Sequence, residues 1–236
     1  MAGTALYAVR ALAFGVAPID EEQARRGHSA LLGHTIRQGF AWTMAPLERA
    51  VLRSGISPDT LTIAGTAIGF FGAAAIALGD LGAGGAMFIC ACGFDFFDGR
   101  LARRLGASNR GGEFLDSTLD RYSDACAFGA AAFLFRDSEW NLLASLVAFG
   151  ATTIVPYARA KAEALGTELK SGLMQRPERV VLYSAAAVFG TWLDPLWPAV
   201  GEHPTFAAMI WFLALATSYT AIARTRDGLR AIRARG

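Results

Sequence analysis

The sequence predicts an all-α membrane protein with six transmembrane helices and an N-terminal amphipathic helix at the membrane interface. Of its 236 residues, 53% are hydrophobic and 18% are charged, which is too apolar a composition for a soluble domain of this size. The apolar residues also form long blocks, as a bilayer core about 30 Å thick requires of a helix. In addition, basic residues are concentrated in alternate connections between these blocks, which is typical of multi-pass membrane proteins.

Six apolar blocks define the predicted spans. They cover residues 61–78, 85–100, 114–135, 141–160, 180–193 and 206–222. The second, third and fifth blocks are marginal as lipid-facing spans, so we expect these three to be buried within the bundle. The six spans together form a single membrane domain, residues 57–236.

The basic residues indicate how the bundle is oriented. Among the 22 Lys and Arg residues, Arg136 is the one that falls on a predicted outer connection. Because cytoplasmic loops collect positive charge, both termini and the inner ends of the helices should be cytoplasmic, in the cell (inner) membrane. The net charge of +2 does not suggest a nucleic-acid partner. Anionic membrane lipids are the expected partners of the basic tail.

The first 56 residues precede the predicted membrane domain. Residues 1–30 form an N-terminal extension to which the sequence assigns no role. In residues 31–56, apolar side chains recur at helical spacing against polar ones, which predicts an amphipathic helix lying in the cytoplasmic interface. The stretch that ends this segment reads SGISPDT, residues 54–60, and it should break the chain and cap the first span.

Four aspartates interrupt the apolar pattern of the second and third spans: Asp95, Asp98, Asp116 and Asp120. Each would cost ~2.5–3.5 kcal/mol near the centre of a membrane helix. Helical spacing puts the first two on one face and the last two on another. The loop between the spans is short enough to fold them antiparallel, so the four carboxylates should converge near the cytoplasmic side. Such a site suits Mg²⁺, Mn²⁺ or Ca²⁺ better than zinc, and two divalent cations would balance its charge.

Other residues on the same helix faces suit a phosphate-containing ligand. Gly99 and Gly112 leave space for a bulky group, and Arg103 offers a planar set of donors that matches phosphate. Carboxylates, paired metals and an arginine describe a phosphoryl-transfer centre. Since membrane carboxylates also form ion paths, a divalent-cation or proton carrier is the non-enzymatic alternative.

One stretch of 26 residues resembles the signature of the CDP-alcohol phosphatidyltransferases. It reads DFFDGRLARRLGASNRGGEFLDSTLD, residues 95–120, and the family pattern is D, two residues, DG, two residues, AR, eight residues, G, three, D, three, D. The chain matches all eight fixed positions, which are Asp95, Asp98, Gly99, Ala102, Arg103, Gly112, Asp116 and Asp120. The resemblance implies a six-helix membrane bundle, usually a homodimer, that binds two Mg²⁺ or Mn²⁺ ions through the four aspartates. Asp120 would also be the catalytic general base.

The resemblance further implies that the donor is CDP-diacylglycerol. Gly99 and Arg103 would contact the CDP part of this lipid. The stretch SPDTLT, residues 57–62, is similar to the family segment that holds the nucleotide, which implicates Asp59 and Thr62. Asn109 stands where relatives often have a hydroxyl residue that contacts the donor.

Four basic residues near the cytoplasmic ends of the fourth and fifth spans suggest an anionic acceptor: Arg159, Lys161, Arg176 and Arg179. Their two stretches are similar to those of phosphatidylinositol-phosphate synthases, in which basic residues bind the phosphate of inositol phosphate. This resemblance implies transfer of a phosphatidyl group to the hydroxyl of a phosphorylated polyol, inositol phosphate, giving phosphatidylinositol phosphate and CMP. The alternative acceptor within the family is glycerol 3-phosphate, used by phosphatidylglycerophosphate synthases.

The sequence also predicts roles outside the catalytic site for two further groups of charged residues. Asp124 follows Asp120 by one helical turn, and we expect it to be a structural partner of Arg121 or a hydrogen-bond acceptor rather than a fifth metal ligand. The arginines of the C-terminal tail, from Arg224 onward, are expected to bind anionic headgroups.

Overall fold

The computed structural model describes residues 51–105, 110–167, 169, 174–197 and 201–234. The chain divides into two units, residues 1–56 and 57–236. Of the first unit, residues 51–56 are described, and residues 51–54 are helical. The predicted extension of residues 1–30, most of the predicted amphipathic helix and Asn109 lie outside the described residues.

The second unit is helical throughout its described part, which has no β-strand. Its helices are α1 (Pro58–Ala77), α2 (Leu81–Arg104), α3 (Arg110–Leu134), α4 (Glu139–Ala164), α5 (Arg176–Leu193) and α6 (Pro204–Arg233), with a 3₁₀ turn at Asp194–Leu196. Each predicted span coincides with one of these helices and extends at most one residue beyond its C-terminal end, so the all-α prediction is confirmed. Within the described residues, four helices, α1, α2, α4 and α6, are long and apolar enough to cross a membrane. The chain is a multi-pass membrane protein.

Local signals in the sequence explain where the first two helices begin. The Ser57 side chain accepts a hydrogen bond of 3.2 Å from the backbone N–H of Thr60, and Pro58 occupies the first turn, where its missing N–H costs nothing. The predicted cap at this stretch is therefore confirmed. Asp80 caps α2 in the same way, through the N–H of Ala83. Because residues 78–80 alone connect the two helices, the start of α1 lies beside the end of α2.

The six helices pack in a closed order. The main contacts of α1 are with α2 and α3, those of α6 are with α4 and α5, and α2 packs on α5 while α3 packs on α4. Following these contacts around the bundle gives the order α1, α2, α5, α6, α4, α3. Helices α2, α3 and α5 therefore all contribute residues to one interior, although α5 is distant from the other two in sequence.

Aromatic residues fill one part of that interior. Tyr183 of α5 makes edge-to-face contacts with Phe88 of α2, Phe128 of α3 and Phe206 of α6, with ring centroids 5.1–5.6 Å apart. Its hydroxyl donates a hydrogen bond of 2.6 Å to the carbonyl oxygen of Ala127, so this buried polar group is satisfied. The aromatic group connects four helices and leaves the charged residues to the end of the bundle near the start of α5.

Two glycines of α2 permit the closest helix approaches. A Cβ atom at Gly84 would lie 2.4 Å from Ile76 and 2.7 Å from the carbonyl oxygen of Gly72, both on α1. A Cβ at Gly85 would lie 2.9 Å from the carbonyl oxygen of Ser184 on α5. Because lipid tails are as apolar as the helices, membrane helices associate mainly through van der Waals packing, and small residues at the contact allow that packing to be close. They hold α2, which carries Asp95 and Asp98, tightly between α1 and α5.

Candidate active site

Three of the four predicted metal ligands meet in the structure. Asp95 and Asp98 project from α2 and Asp116 from α3, and each offers a carboxylate oxygen within 4.8 Å of the others. Asp98 is buried, while the other two are half-buried. The predicted convergence of α2 and α3 at these carboxylates is therefore confirmed. A group of carboxylate oxygens this close fits a hard divalent cation such as Mg²⁺ or Mn²⁺.

Asp98 is held by a hydroxyl group from a third helix. The Oγ1 atom of Thr62, on α1, donates a hydrogen bond of 2.7 Å to Asp98 Oδ2, and both residues are buried. Thr62 Oγ1 also lies 3.1 Å from the carbonyl oxygen of Pro58. The other oxygen, Oδ1, accepts from the backbone N–H of Gly99, and supporting hydrogen bonds of this kind orient carboxylates in metal sites.

A pocket of about 180 Å³ opens beside these carboxylates. It is lined from three helices by Pro58, Asp59, Thr62, Asp98, Gly99, Ala102, Arg103, Gly112, Glu113 and Asp116. Four of the five residues predicted to bind the CDP-lipid therefore share one pocket, and the fifth, Asn109, is outside the described residues. Sequence reasoning did not select Pro58 or Glu113. Glu113 precedes Asp116 by three residues, so helical spacing alone would have put it on the same face.

Gly99 gives Arg103 room to lie against the helix. A Cβ atom at position 99 would be 3.2 Å from Nη1 of Arg103, so the guanidinium group lies directly over the glycine. This places a planar cation in the lining of the pocket, together with the carboxylates of Asp98 and Asp116. A pocket lined by both carboxylates and a guanidinium group suits a ligand that brings both phosphate and metal.

Arg176 joins the carboxylates of two helices. Its Nη1 atom makes an ion pair with Asp95 of α2 and a second, at 2.8 Å, with Oδ1 of Asp120 on α3. The side chains of Arg176 and Asp120 are 23% and 17% exposed, so the pair retains some access from outside. Asp120 thus lies on the arginine side of the site, whereas Asp116, one turn earlier, lies with the metal-suited group.

Arg179 and Asp124 form a second ion pair, deeper in the bundle. Arg179 Nη2 lies 2.8 Å from Asp124 Oδ2, and both side chains are less than one-tenth exposed. Arg179 also donates to the carbonyl oxygen of Met174, in the segment before α5, at 3.3 Å. The sequence suggested Arg121 as a structural partner of Asp124. Arg121 lies on the same helix, and the partners that the structure gives are Arg179 and, at 3.8 Å, Arg176, both from α5.

The two predicted acceptor residues on α4 are exposed. Arg159 makes an ion pair of 2.8 Å with Glu163, one turn along the helix, and Lys161 is also on the surface. They lie at the same end of the bundle as the start of α5 but do not contact the carboxylates of Asp95 or Asp120.

The prediction that Arg224 binds lipid headgroups with the rest of the tail is wrong. Arg224 is 8% exposed and donates to the carbonyl oxygen of Val155 at 3.2 Å. Arg159 and Arg179 are among its charged neighbours. The spacing of Thr217, Thr220, Ala221, Arg224 and Gly228, all buried on one face of α6, is the signal that would have found it.

Comparison with known proteins assigns the fold and the site to a family. The sequence pattern of the family described as CDP-alcohol phosphatidyltransferase matches residues 56–220, which include every helix that contributes to the site. The chain belongs to this family. Like other CDP-alcohol phosphatidyltransferases, it is an enzyme of phosphatidyl transfer, and the carrier alternative is set aside.

Individual relatives within the family are similar over most of the chain. A phosphatidylinositol phosphate synthase of Mycobacteroides abscessus is 34% identical over 193 residues, covering 80% of this chain and 84% of the relative. A crystal structure of the phosphatidylinositol phosphate synthase of Mycobacterium tuberculosis with CDP-DAG bound has a TM-score of 0.67 and 31% identity, covering 79% of this chain and 92% of that one. The same enzyme in complex with manganese and citrate gives a TM-score of 0.68 at 31% identity, covering 78% and 88%.

The hydrogen bond from Thr62 to Asp98 leads to a prediction about metal affinity. Thr62→Val keeps the shape of the side chain and removes the donor, so the affinity of the purified protein for Mn²⁺ should fall roughly tenfold, the low end for residues that support metal ligands. Thr62→Ser, which keeps the hydroxyl, should bind Mn²⁺ as the wild type does. The measurement is free Mn²⁺ by electron paramagnetic resonance.

Thr66→Val is the matched control, since the Thr66 hydroxyl is also buried on α1 but donates to the carbonyl oxygen of Thr62. It should leave Mn²⁺ affinity unchanged. If Thr62→Val bound Mn²⁺ as the wild type does, Thr62 would not support Asp98 as a metal ligand, whatever the effect of the substitution on CDP-diacylglycerol binding.

Proposed function

We propose that this protein transfers the phosphatidyl group of CDP-diacylglycerol to a hydroxyl of a phosphorylated polyol, inositol phosphate, giving phosphatidylinositol phosphate and CMP. The observation that carries the proposal is the position of Arg176, which lies 2.8 Å from Asp120 and beside the metal-suited carboxylates. An acceptor phosphate bound by Arg176 would bring its own hydroxyl to Asp120. The names of the relatives, phosphatidylinositol phosphate synthases, support this choice of acceptor.

Two divalent cations, Mg²⁺ or Mn²⁺, complete the site. Asp95, Asp98, Asp116 and Asp120 hold them, and the grouping of the first three carboxylates within 4.8 Å supports this assignment. The manganese complex of the Mycobacterium tuberculosis relative is consistent with it. When bound, the cations neutralise the negative charge of the donor phosphates in the transition state. The chain's own contribution is to fix the four carboxylates from two helices.

The CDP part of the donor binds in the pocket at the start of α1. Asp59, Thr62, Gly99, Arg103 and Asn109 are the proposed contacts, of which the first four line that pocket or lie at its edge. A carboxylate such as Asp59 suits the amino group of a cytosine, and the guanidinium group of Arg103 suits a phosphate. The diacyl part then extends from the pocket toward the surrounding lipid.

Asp120 is the proposed general base. The acceptor hydroxyl oxygen forms a bond to the lipid-linked phosphorus, the bond from that phosphorus to the CMP oxygen breaks, and CMP departs with the electron pair. The hydroxyl proton passes to the Asp120 carboxylate. A base in this role must lie within hydrogen-bond reach of the acceptor, and Asp120 meets this condition because Arg176 holds the acceptor next to it.

The acceptor phosphate is recognised by basic residues from two helices. Arg176 makes the direct contact nearest the base, and Arg159 and Lys161 attract the anion from the exposed end of α4. Arg179 adds positive charge from the interior, and Arg224 has both Arg159 and Arg179 as charged neighbours. Several cations beside a metal-loaded site favour a charged acceptor over a neutral alcohol.

The proposed topology has six spans in the cell (inner) membrane, with both termini and the active site cytoplasmic. It rests on the charge pattern and on α3 and α5, which each lie between helices apolar enough to span. Asp120 and Asp124 of α3 pair with Arg176 and Arg179 of α5 inside the bundle, so these two helices need not be apolar on every side. A homodimer and an interfacial helix over residues 31–56 complete the proposal.

The reaction itself is tested with purified protein in detergent, CDP-diacylglycerol and Mn²⁺. Adding inositol phosphate should release CMP and produce phosphatidylinositol phosphate, faster than glycerol 3-phosphate does. Asp120→Asn should lower turnover by at least about 10², the low end for a general base, while CDP-diacylglycerol binding is retained. Faster turnover with glycerol 3-phosphate would assign the enzyme to the other acceptor class, and full activity of Asp120→Asn would remove its role as base.

Arg176→Ala tests acceptor recognition. The variant loses a charge-assisted contact worth roughly 1.5–3 kcal/mol, so the KM for inositol phosphate should rise about ten- to a hundredfold with little change in the KM for CDP-diacylglycerol. Arg226→Ala is the control, because Arg226 is exposed and pairs with its neighbour Asp227. A higher KM for the lipid donor alone would contradict the proposal.

The topology is tested with reporter fusions in intact cells. Fusions at the C-terminus and within residues 170–175 should report a cytoplasmic location, and a fusion within residues 198–204 an external one. Cross-linking of the same membranes should yield a species of twice the subunit mass. A cytoplasmic signal from residues 198–204 would contradict the six-span count, and a monomer alone would contradict the homodimer.

A further inference from the structure

Asp124 lies outside the family's aspartate pattern, yet it is among the most buried carboxylates that the structure describes. It follows Asp116 and Asp120 at intervals of four residues, so α3 presents three carboxylates in successive turns on one face. Its residue is 6% exposed. Neither the metal-suited group nor the CDP pocket includes it, so the reaction described above gives it no part.

The two oxygens of the Asp124 carboxylate face two different arginines. Oδ2 lies 2.8 Å from Arg179 Nη2, and Oδ1 lies 3.8 Å from Arg176 Nε. Arg176 then extends its Nη1 atom to Asp120 at 2.8 Å. The guanidinium group of Arg176 is therefore supported on its Nε side by Asp124 and reaches Asp120 with its far end.

Arg179 fixes this arrangement to the rest of the bundle. It donates to the carbonyl oxygen of Met174, and the N–H of Met174 donates to Thr220 Oγ1 of α6 at 3.3 Å. Through these contacts Arg179 connects α3, the segment before α5, and α6. Since Arg176 is the first residue of α5, the Met174 segment and the Asp124 carboxylate together determine where its side chain begins and where it points.

We infer that Asp124 is a positioning residue for the acceptor site, which orients Arg176 toward the acceptor phosphate through its own carboxylate and through Arg179. This inference rests on the proposed function. It also restricts the role of Arg179, which acts through Asp124 and Arg176 and does not itself contact the phosphate. Arg179 is too deeply buried, with a side chain 4% exposed, to offer its donors to a ligand that enters from the surface.

The inference is tested by comparing Asp124→Asn in two backgrounds. In the otherwise wild-type enzyme, Asp124→Asn should raise the KM for inositol phosphate about tenfold, as a small misplacement of a binding group can do. The KM for CDP-diacylglycerol and the affinity for Mn²⁺ should stay within about twofold. In the Arg176→Ala background, Asp124→Asn should add less than about twofold, because the group that it positions is absent.

A second variant protects the test against misfolding. Asp124→Asn leaves the Arg179 charge buried without its carboxylate, which destabilises proteins strongly. The double variant Asp124→Asn, Arg179→Gln removes that charge and should recover the thermal stability while the acceptor KM stays raised. Asp194→Asn, which changes a partly buried carboxylate at the opposite end of α5, should leave the acceptor KM unchanged.

Each alternative result has a distinct meaning. Equal increases in the acceptor KM in both backgrounds, or a normal acceptor KM in the folded double variant, would overturn the positioning role. A loss of Mn²⁺ affinity in Asp124→Asn would make Asp124 part of the metal centre and would overturn it as well. If the wild type released no CMP with inositol phosphate, the proposed function would fail together with this inference, whereas an active wild type separates the two.

Discussion

Carboxylates within a membrane bundle need compensating positive charge, and this requirement governs how the described helices are arranged. Four aspartates and a fifth, Asp124, lie on α2 and α3, where each would be costly if it stood alone. Arg176 and Arg179 of α5 supply the compensation, by pairing with Asp95, Asp120 and Asp124. Since α5 is adjacent to α2 in the packing order and across from α3, its first turn must reach the middle of the site. The same requirement explains why α3 and α5 are less apolar than their neighbours.

The aromatic residues of the core lie directly beyond the charged residues and limit how deep in the bundle those charges extend. Tyr183 and Phe128 follow Arg179 and Asp124 by one helical turn on α5 and α3, and their rings are in contact. The Asp124–Arg179 pair therefore lies against an apolar wall on one side, where electrostatic attraction is little screened. Toward the surface, the Arg176 pairs keep partial exposure. The Asp124–Arg179 pair is thus buried and fixed, whereas the pairs made by Arg176 are more accessible. A ligand anion can therefore compete for Arg176 but not for Arg179.

The helices and the convergence of the aspartates were predictable because both follow from periodicity within single segments. Apolar blocks and four-residue spacings on α2 and α3 need no knowledge of distant contacts. The difference between Arg176 and Arg179 was not predictable in this way. The two residues are three positions apart on one helix face, and their separate roles depend on Asp124, which lies 55 positions before Arg179. Arg224 is a different case, because the spacing of the buried face of α6 indicates its burial, whereas its contact with the Val155 carbonyl oxygen of α4 depends on how the helices pack.

The three aspartates of α3 show how one helix can serve two kinds of cation. Asp116 belongs with Asp95 and Asp98 in the group suited to a divalent ion, and Asp124 faces two arginines. Asp120 stands between them and contacts Arg176. In the proposed reaction the proton acceptor lies between the carboxylates that would hold the divalent cations and the arginine that would bind the acceptor phosphate, and on α3 that position is Asp120. The turn spacing of α3, about 5.4 Å along the axis, would thus put Asp116, Asp120 and Asp124, with their different proposed roles, on three successive turns of one helix.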